Sequence, residues 1–329
     1  MESHSPSAVP VKRSDTALRP SVLAPIGLAL AIALWAGFVG WRSGLFAATP
    51  AGKVHPMVLY LNLNTSGRGF HPQKPWHVLV AVNGVPNDRL SAGSTILSFG
   101  YLIKAGPNVI TLLCKSHGPQ SLLIDLTRYV HGKDKLIYKG RLAAKPGKWQ
   151  PVNIKLIGDP GFKPPFPDVR RVPRMSHQAC RRLLTAEVTK ICAAAKARDA
   201  ARLLSLFVFP ATVHFPPQFS PSVMARAALK NCGTIWSCGA QDLRFHVFPR
   251  GILAWSASSM PQGGTSSHGH PGIIKLFRKA PEKGRAGTKS AEVARMRTMI
   301  LLRNGKQWKL TGQLVFFNVA HNNILREKR

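Results

Sequence analysis

The hydrophobic pattern of this chain changes period three times. Residues 21–41, SVLAPIGLALAIALWAGFVGW, are apolar on every helical face and sit in a 22-residue stretch without charge between Arg19 and Arg42. From Met57 to Leu156 the period falls to two. MVLYLNLN (57–64), HVLVAVNG (77–84), STILSF (94–99), NVITLLCK (108–115), SLLIDLTRY (121–129), KLIYKGRL (135–142) and QPVNIKLIG (150–158) each predict a short strand, with turn residues between them. Asn83-Gly84 is a strong hairpin signal. DPGFKPPFPDVRRVPR (159–174) holds five prolines and predicts a stiff, extended linker. Beyond it, Leu183, Leu184, Val188, Ile191, Cys192 and Ala195 recur at helical intervals, with Ser176 placed to cap the start and a break near Ala197–Asp199. A shorter helix is predicted in 220–232, and strands at 242–249, 251–258, 270–279, 292–305 and 307–320.

These elements predict a single-pass membrane protein. Its span is followed by an all-β sandwich and then an α+β domain with helices on a curved antiparallel sheet. The expected organisation is a cytoplasmic segment (1–20), a transmembrane helix (21–41), a linker (42–56), the sandwich (57–158), a proline-rich linker (159–175), the α+β domain (176–320) and a basic tail (321–329). A helix of about 20 residues crosses the roughly 30 Å of bilayer hydrocarbon. A core helix and a cleaved export signal are the other readings of 21–41. The run is longer than a signal h-region, and the nearest small-residue site, LFAA (45–48), follows the charge at Arg42, so an uncleaved signal-anchor is expected. Lys12, Arg13 and Arg19 before the span give a weak bias toward a cytoplasmic N-terminus. That places the bulk of the chain on the periplasmic or extracellular side of an inner membrane.

Charge changes the picture of the partners. The chain holds 46 Lys+Arg against 13 Asp+Glu, a formal net charge of +33, and residues 176–329 alone carry twenty-four bases and six acids. So basic a surface attracts polyanions. Adaptation to an acidic exterior explains the same bias without any ligand. Arg181, Arg182, Lys196 and Arg202 on the predicted first helix are the candidate polyanion contacts.

Candidate chemistry is sparse. Five cysteines are odd in number, and no CxxC spacing points to zinc. Cys232 and Cys238 flank GTIWS, a loop one local disulfide would close; a bond from Cys180 or Cys192 to either is the alternative, and Cys114 is expected free and buried in its strand. His268 and His270, with His246, are weighed as metal ligands and read instead as ordinary polar residues. No G-x-S-x-G elbow, Walker loop or paired carboxylate appears, so no catalytic, cofactor-binding or metal site is expected.

Two stretches bear a resemblance. VAVNGVP followed by YLIKAGPNVITLLCK resembles a passage of carbohydrate-binding jelly-roll sandwiches, such as the sugar-binding domain of family 2 glycoside hydrolases. In those, an Asn-Gly turn precedes a Gly-x-Asn turn and an aliphatic strand. A sugar-stacking platform of Trp76, Tyr101, Tyr138 and Trp149 would accompany such a site. RMRTMILLRNGKQWKLTGQLVFF, after helices and a meander, resembles the nuclear transport factor 2-like (SnoaL-like) α+β cone, in which two late strands meet at a turn followed by Trp, here Asn304-Gly305 and Trp308. Enzymes of that family place acids, tyrosines or histidines inside the cone. Residues 176–329 lack tyrosine, and Glu187 and Asp199 read as exposed helix charges.

The function expected from sequence is therefore a membrane-anchored extracytoplasmic binding or assembly protein of the bacterial envelope, without a cofactor. Its partners would be membrane lipid through residues 21–41, other envelope proteins or an acidic polymer, with oligomers allowed. The alternatives are a SnoaL-like enzyme or sugar-binding envelope protein, and a basic nucleic-acid-binding protein with inverted topology. Nucleic acid is otherwise set aside, for want of a recognition motif.

Overall fold

The computed structural model describes residues 57–65, 76–91, 95–130, 133–211, 220–230, 232–257, 272–278 and 292–311. Strands β1 (Val58–Thr65), β4 (Thr95–Ser98), β6 (Leu122–Val130) and β7 (Lys133–Leu142) form one sheet in the order β4-β1-β6-β7. Strands β2 (His77–Val82), β3 (Val85–Ser91), β5 (Gly106–Lys115) and β8 (Trp149–Gly158) form a second, in the order β3-β2-β5-β8. The two share one buried cluster, to which Leu59, Leu61 and Leu63 contribute from β1 and Val78, Val80 and Val82 from β2. That is the inward half of each period-two pattern. Asn83 (φ 53°) and Gly84 (φ 78°) take the two left-handed positions of the β2–β3 turn, the conformation that Asn-Gly favours. The amides of Asn83 and Asn108 tie this turn to the start of β5: Asn83 Nδ2 donates to Asn108 Oδ1 at 2.8 Å, and Asn108 Nδ2 donates to the carbonyls of Lys104 and Gly106.

The second half builds two more sheets and three helices: α1 (His177–Lys196), α2 (Ala200–Ser205) and α3 (Pro221–Lys230). Ser176 caps α1, its Oγ accepting from Ala179 N at 3.1 Å. Asp199 caps α2 through Arg202 N at 2.8 Å. A five-stranded sheet runs β11 (Leu243–Phe248), β12 (Gly251–Ser256), β15 (Thr298–Asn304), β16 (Gln307–Thr311), β9 (Phe207–Val208), with the last pair parallel. A three-stranded sheet runs β10 (Cys232–Ser237), β13 (Ile274–Arg278), β14 (Glu292–Met296). One face of the five-stranded sheet, with Ile252, Ala254, Met299 and Leu301, joins Leu184, Val188 and Ile191 of α1 and Leu276 of β13 in a second core.

The other face of that sheet turns toward β2 and β3. Leu253, Ile300, Leu302 and Phe248 belong to the first core. The consequence shows in β2, where every residue after His77 is buried, Leu79 and Ala81 included. The β3-β2-β5-β8 sheet is thus a middle layer covered on both faces, which is why HVLVAV reads as an apolar run and not as a clean alternation. Contact is close at Gly251, where a Cβ would stand 2.7 Å from both Leu302 and Pro86. The proline-rich segment is bound down along this layer. Phe162 and Phe166 are buried, and Arg170 N and Val172 N donate to the carbonyls of Arg303 and Pro249. Residues 48–329 accordingly form one compact unit.

The fold class expected at the sequence level needs correction. Among the described residues the protein is mostly β-sheet with three α-helices, none of them long and apolar enough to cross a membrane. The longest, α1, has 20 residues but carries Arg181, Arg182, Glu187, Lys190 and Lys196, charges that hydrocarbon excludes. The single-pass, signal-anchor and inner-membrane placement is corrected with it. Residues 21–41, on which it rested, lie outside the described residues.

Candidate functional site

Strand register assembles one cluster of basic groups at an end of the middle layer. His77 opens β2, and its cross-strand partner on β5 is Lys115, whose own partner on β8 is Trp149. Arg89 on β3 lies opposite Leu79, next in the row. All four point toward the five-stranded sheet. His117 follows two residues after Lys115, its ring edge-on to His77 with centroids 4.6 Å apart. Two indoles lie among these groups. The Arg89 guanidinium lies 5.1 Å over the Trp255 ring, and Lys115 Nζ stands 5.9 Å from the Trp149 ring. His246 of β11 faces Trp149, with centroids 6.2 Å apart. The cluster runs from depth to surface: Arg89 is only 4% exposed, His77 half-buried and His117 exposed.

The electrostatics are one-signed. His77 is held at about 3, by burial first and then by Arg89, His117 and Lys115. His117 is lowered by burial, Lys115 and Arg89. Every charge acting on the two imidazoles is positive, so both are neutral at neutral pH. Burial lowers Arg89 to about 10, against the opposing pull of Asp88, and it stays charged. Two imidazoles this close would suit a metal ion, but Arg89 and Lys115 repel cations. Among the described residues no group of three or more His, Cys, Asp or Glu stands together as a metal site. His268 and His270 lie outside the described residues, and His246 is lowered by burial and packs edge-on to Phe248.

The four aromatics weighed as a sugar platform are dispersed. Trp76 is 1% exposed, its Nε1 donating to the Gln120 carbonyl at 2.9 Å. Tyr101 donates to Asn87 Oδ1 at 2.6 Å. Tyr138 lies on β7 of the outer sheet, and only Trp149 reaches the basic cluster. Of the four helix bases, Arg182, Lys196 and Arg202 are exposed, while Arg181 is half-buried with its Nε enclosed and without a hydrogen-bond partner among the described residues. Glu187, read as an exposed charge, is 2% exposed and accepts from Lys190 Nζ at 2.6 Å.

The local Cys232–Cys238 bridge does not form. The two stand at opposite ends of extended β10, about 20 Å apart at 3.3 Å per residue, whereas a disulfide needs Cα atoms within about 7 Å. All five cysteines are free thiols, with Cys114 buried and raised to about 12 by that burial. Cys192 of α1 bonds Ser237 and lies close enough to Cys238 to raise it further.

Arg89 escaped sequence reasoning because VPNDRLS looks like a turn. The signal that could have found it is the Asn83-Gly84 hairpin, which requires a strand after it as well as before it. No protein-family model, curated protein or solved structure matches the chain.

Proposed function

We propose that this protein binds a small molecule carrying an oxyanion group, a phosphate, sulfate or carboxylate, at the His77–Arg89–Lys115–His117 cluster. The observation that carries the proposal is the register that gathers Arg89, Lys115 and the edge-on imidazoles of His77 and His117 at one end of the middle layer, where the charges that shift the two imidazoles are positive. A site of that kind is completed by an anion, and strongly shifted groups gathered in one place mark functional sites more often than structural ones. Arg89 supplies the planar fork suited to two oxygens of one oxyanion. Lys115 adds a point charge, and the imidazoles offer N–H donors that double in number on protonation. Trp149 and Trp255 give flat walls for the body of the ligand.

The test is calorimetric titration with sodium sulfate and inorganic phosphate as head-group probes, and acetate as the carboxylate arm. We expect saturable binding to the wild type that Arg89→Met weakens at least tenfold, the 1.4 kcal/mol or more carried by a charged hydrogen bond. Lys309→Met, a base of β16 bonded to the Ser205 carbonyl, should leave it unchanged. Equal binding by all three proteins would refute the site.

A further inference from the structure

The three-stranded sheet presents a second feature, separate from that cluster. Ile235 and Leu276, cross-strand partners, pack on the second core, so the neighbouring row, Trp236–Lys275–Arg295, faces outward. Trp236 is 38% exposed, and Lys275 Nζ lies 5.7 Å from its ring. Thr234, two residues back along β10 and therefore on the same face, lines a cleft of about 280 Å³ together with Lys196 and Arg198. Two strand residues span about 7 Å, so the indole and the basic cleft are near neighbours. Arg198, just beyond the end of α1, takes a left-handed conformation (φ 53°), and its Nη2 donates to the Cys232 carbonyl at 3.1 Å.

The geometry points to a binding strip for single-stranded nucleic acid along β10. A base stacks on the outer face of Trp236, one phosphate enters the Lys196–Arg198 cleft and the next meets Lys275 and Arg295. The chemistry selects this occupant. The strip offers cations, one hydroxyl and one aromatic face. A ligand that brings only acceptors and flat π-faces is complementary to it. The formal charge of +33 supplies attraction to any polyanion, so stacking is the discriminating term.

The experiment is fluorescence anisotropy of a labelled oligo-deoxythymidine with the full-length chain, in competition with inorganic polyphosphate and with polygalacturonate. Trp236→Ala should weaken oligonucleotide binding about 5- to 100-fold while leaving polyphosphate binding unchanged. Lys275→Ala and Arg295→Ala should each lower the salt slope by about 0.7. Arg89→Met should have no effect, which separates this strip from the oxyanion cluster. Because Trp236 is exposed, its variant is expected to keep the wild-type melting temperature. Three outcomes would overturn the strip: equal binding of the oligonucleotide by Trp236→Ala and wild type, polyphosphate displacing it charge for charge, or polygalacturonate binding more tightly than DNA.

Discussion

Truncating Leu79 to alanine is expected to destabilise the protein by about 2–5 kcal/mol, the range for emptying a fully enclosed leucine site. In an isolated two-sheet sandwich the outward residues of β2 would face water, and a cut at Leu79 would cost little. Here Leu79 is fully buried against the five-stranded sheet, between Arg89 of β3 and Leu113 of β5. The matching control is Leu136→Ala on β7, where the side chain is 53% exposed and the change should stay within about 0.5 kcal/mol. Urea denaturation of both variants checks the contrast. A small loss at Leu79 would mean that the second half does not cover the middle layer in solution.

Stability is also expected to fall steeply in acid, with His77 as a main cause. In the folded protein this imidazole resists protonation down to about pH 3, because it is buried beside Arg89, His117 and Lys115. In the unfolded chain it takes up a proton near pH 6.5. Between those values the unfolded state holds more protons, so unfolding free energy rises with pH. The contribution is fully present above about pH 6.5 and is lost as the pH falls toward 3. One proton corresponds to about 1.4 kcal/mol per pH unit, and partial exposure of the ring reduces the total to roughly 2–3 kcal/mol. His117 and His246 are lowered too and add with the same sign. Measured by denaturant midpoints across this window, His77→Gln should have a visibly flatter profile than wild type. An unchanged slope would show that His77 is freely protonated in the folded state.

Much of the fold is visible in local pattern. Strands β1, β5, β6 and β8 follow from alternation, the β2–β3 turn from Asn83-Gly84, and α1 from its apolar spacing and Ser176 cap. Strands β3, β9 and β10 were hidden, and β3 and β10 carry proposed binding residues. β3 contains Pro86, Asn87 and Asp88, residues that strands avoid, and it survives because an edge position tolerates proline and β12 packs against it through Gly251. β10 reads as a loop in the sequence because its flanking cysteines suggest a bridge, although Thr234, Ile235 and Trp236 favour a strand.

The basic cluster was not legible at all. Residues 77, 89, 115, 117, 149, 246 and 255 have no common spacing and meet only through cross-strand register and the stacking of one sheet on another. The same long-range packing explains why the burial of β2 and of the proline-rich segment could not be read from their own sequences. A residue's neighbours along the chain do not report what covers the far side of its sheet.

The proposed oxyanion site can be examined directly at its two imidazoles. Sulfate stays a dianion from about pH 5 to 8, the range in which histidines ordinarily titrate, so any pH dependence of its binding belongs to the protein. An anion beside His77 favours the imidazolium, so binding takes up protons and affinity increases as pH falls. Histidine-resolved NMR titration with and without saturating sodium sulfate should show the His77 and His117 midpoints moving upward together, with the shift lost in Arg89→Met. Midpoints unmoved by sulfate would contradict anion binding at this cluster.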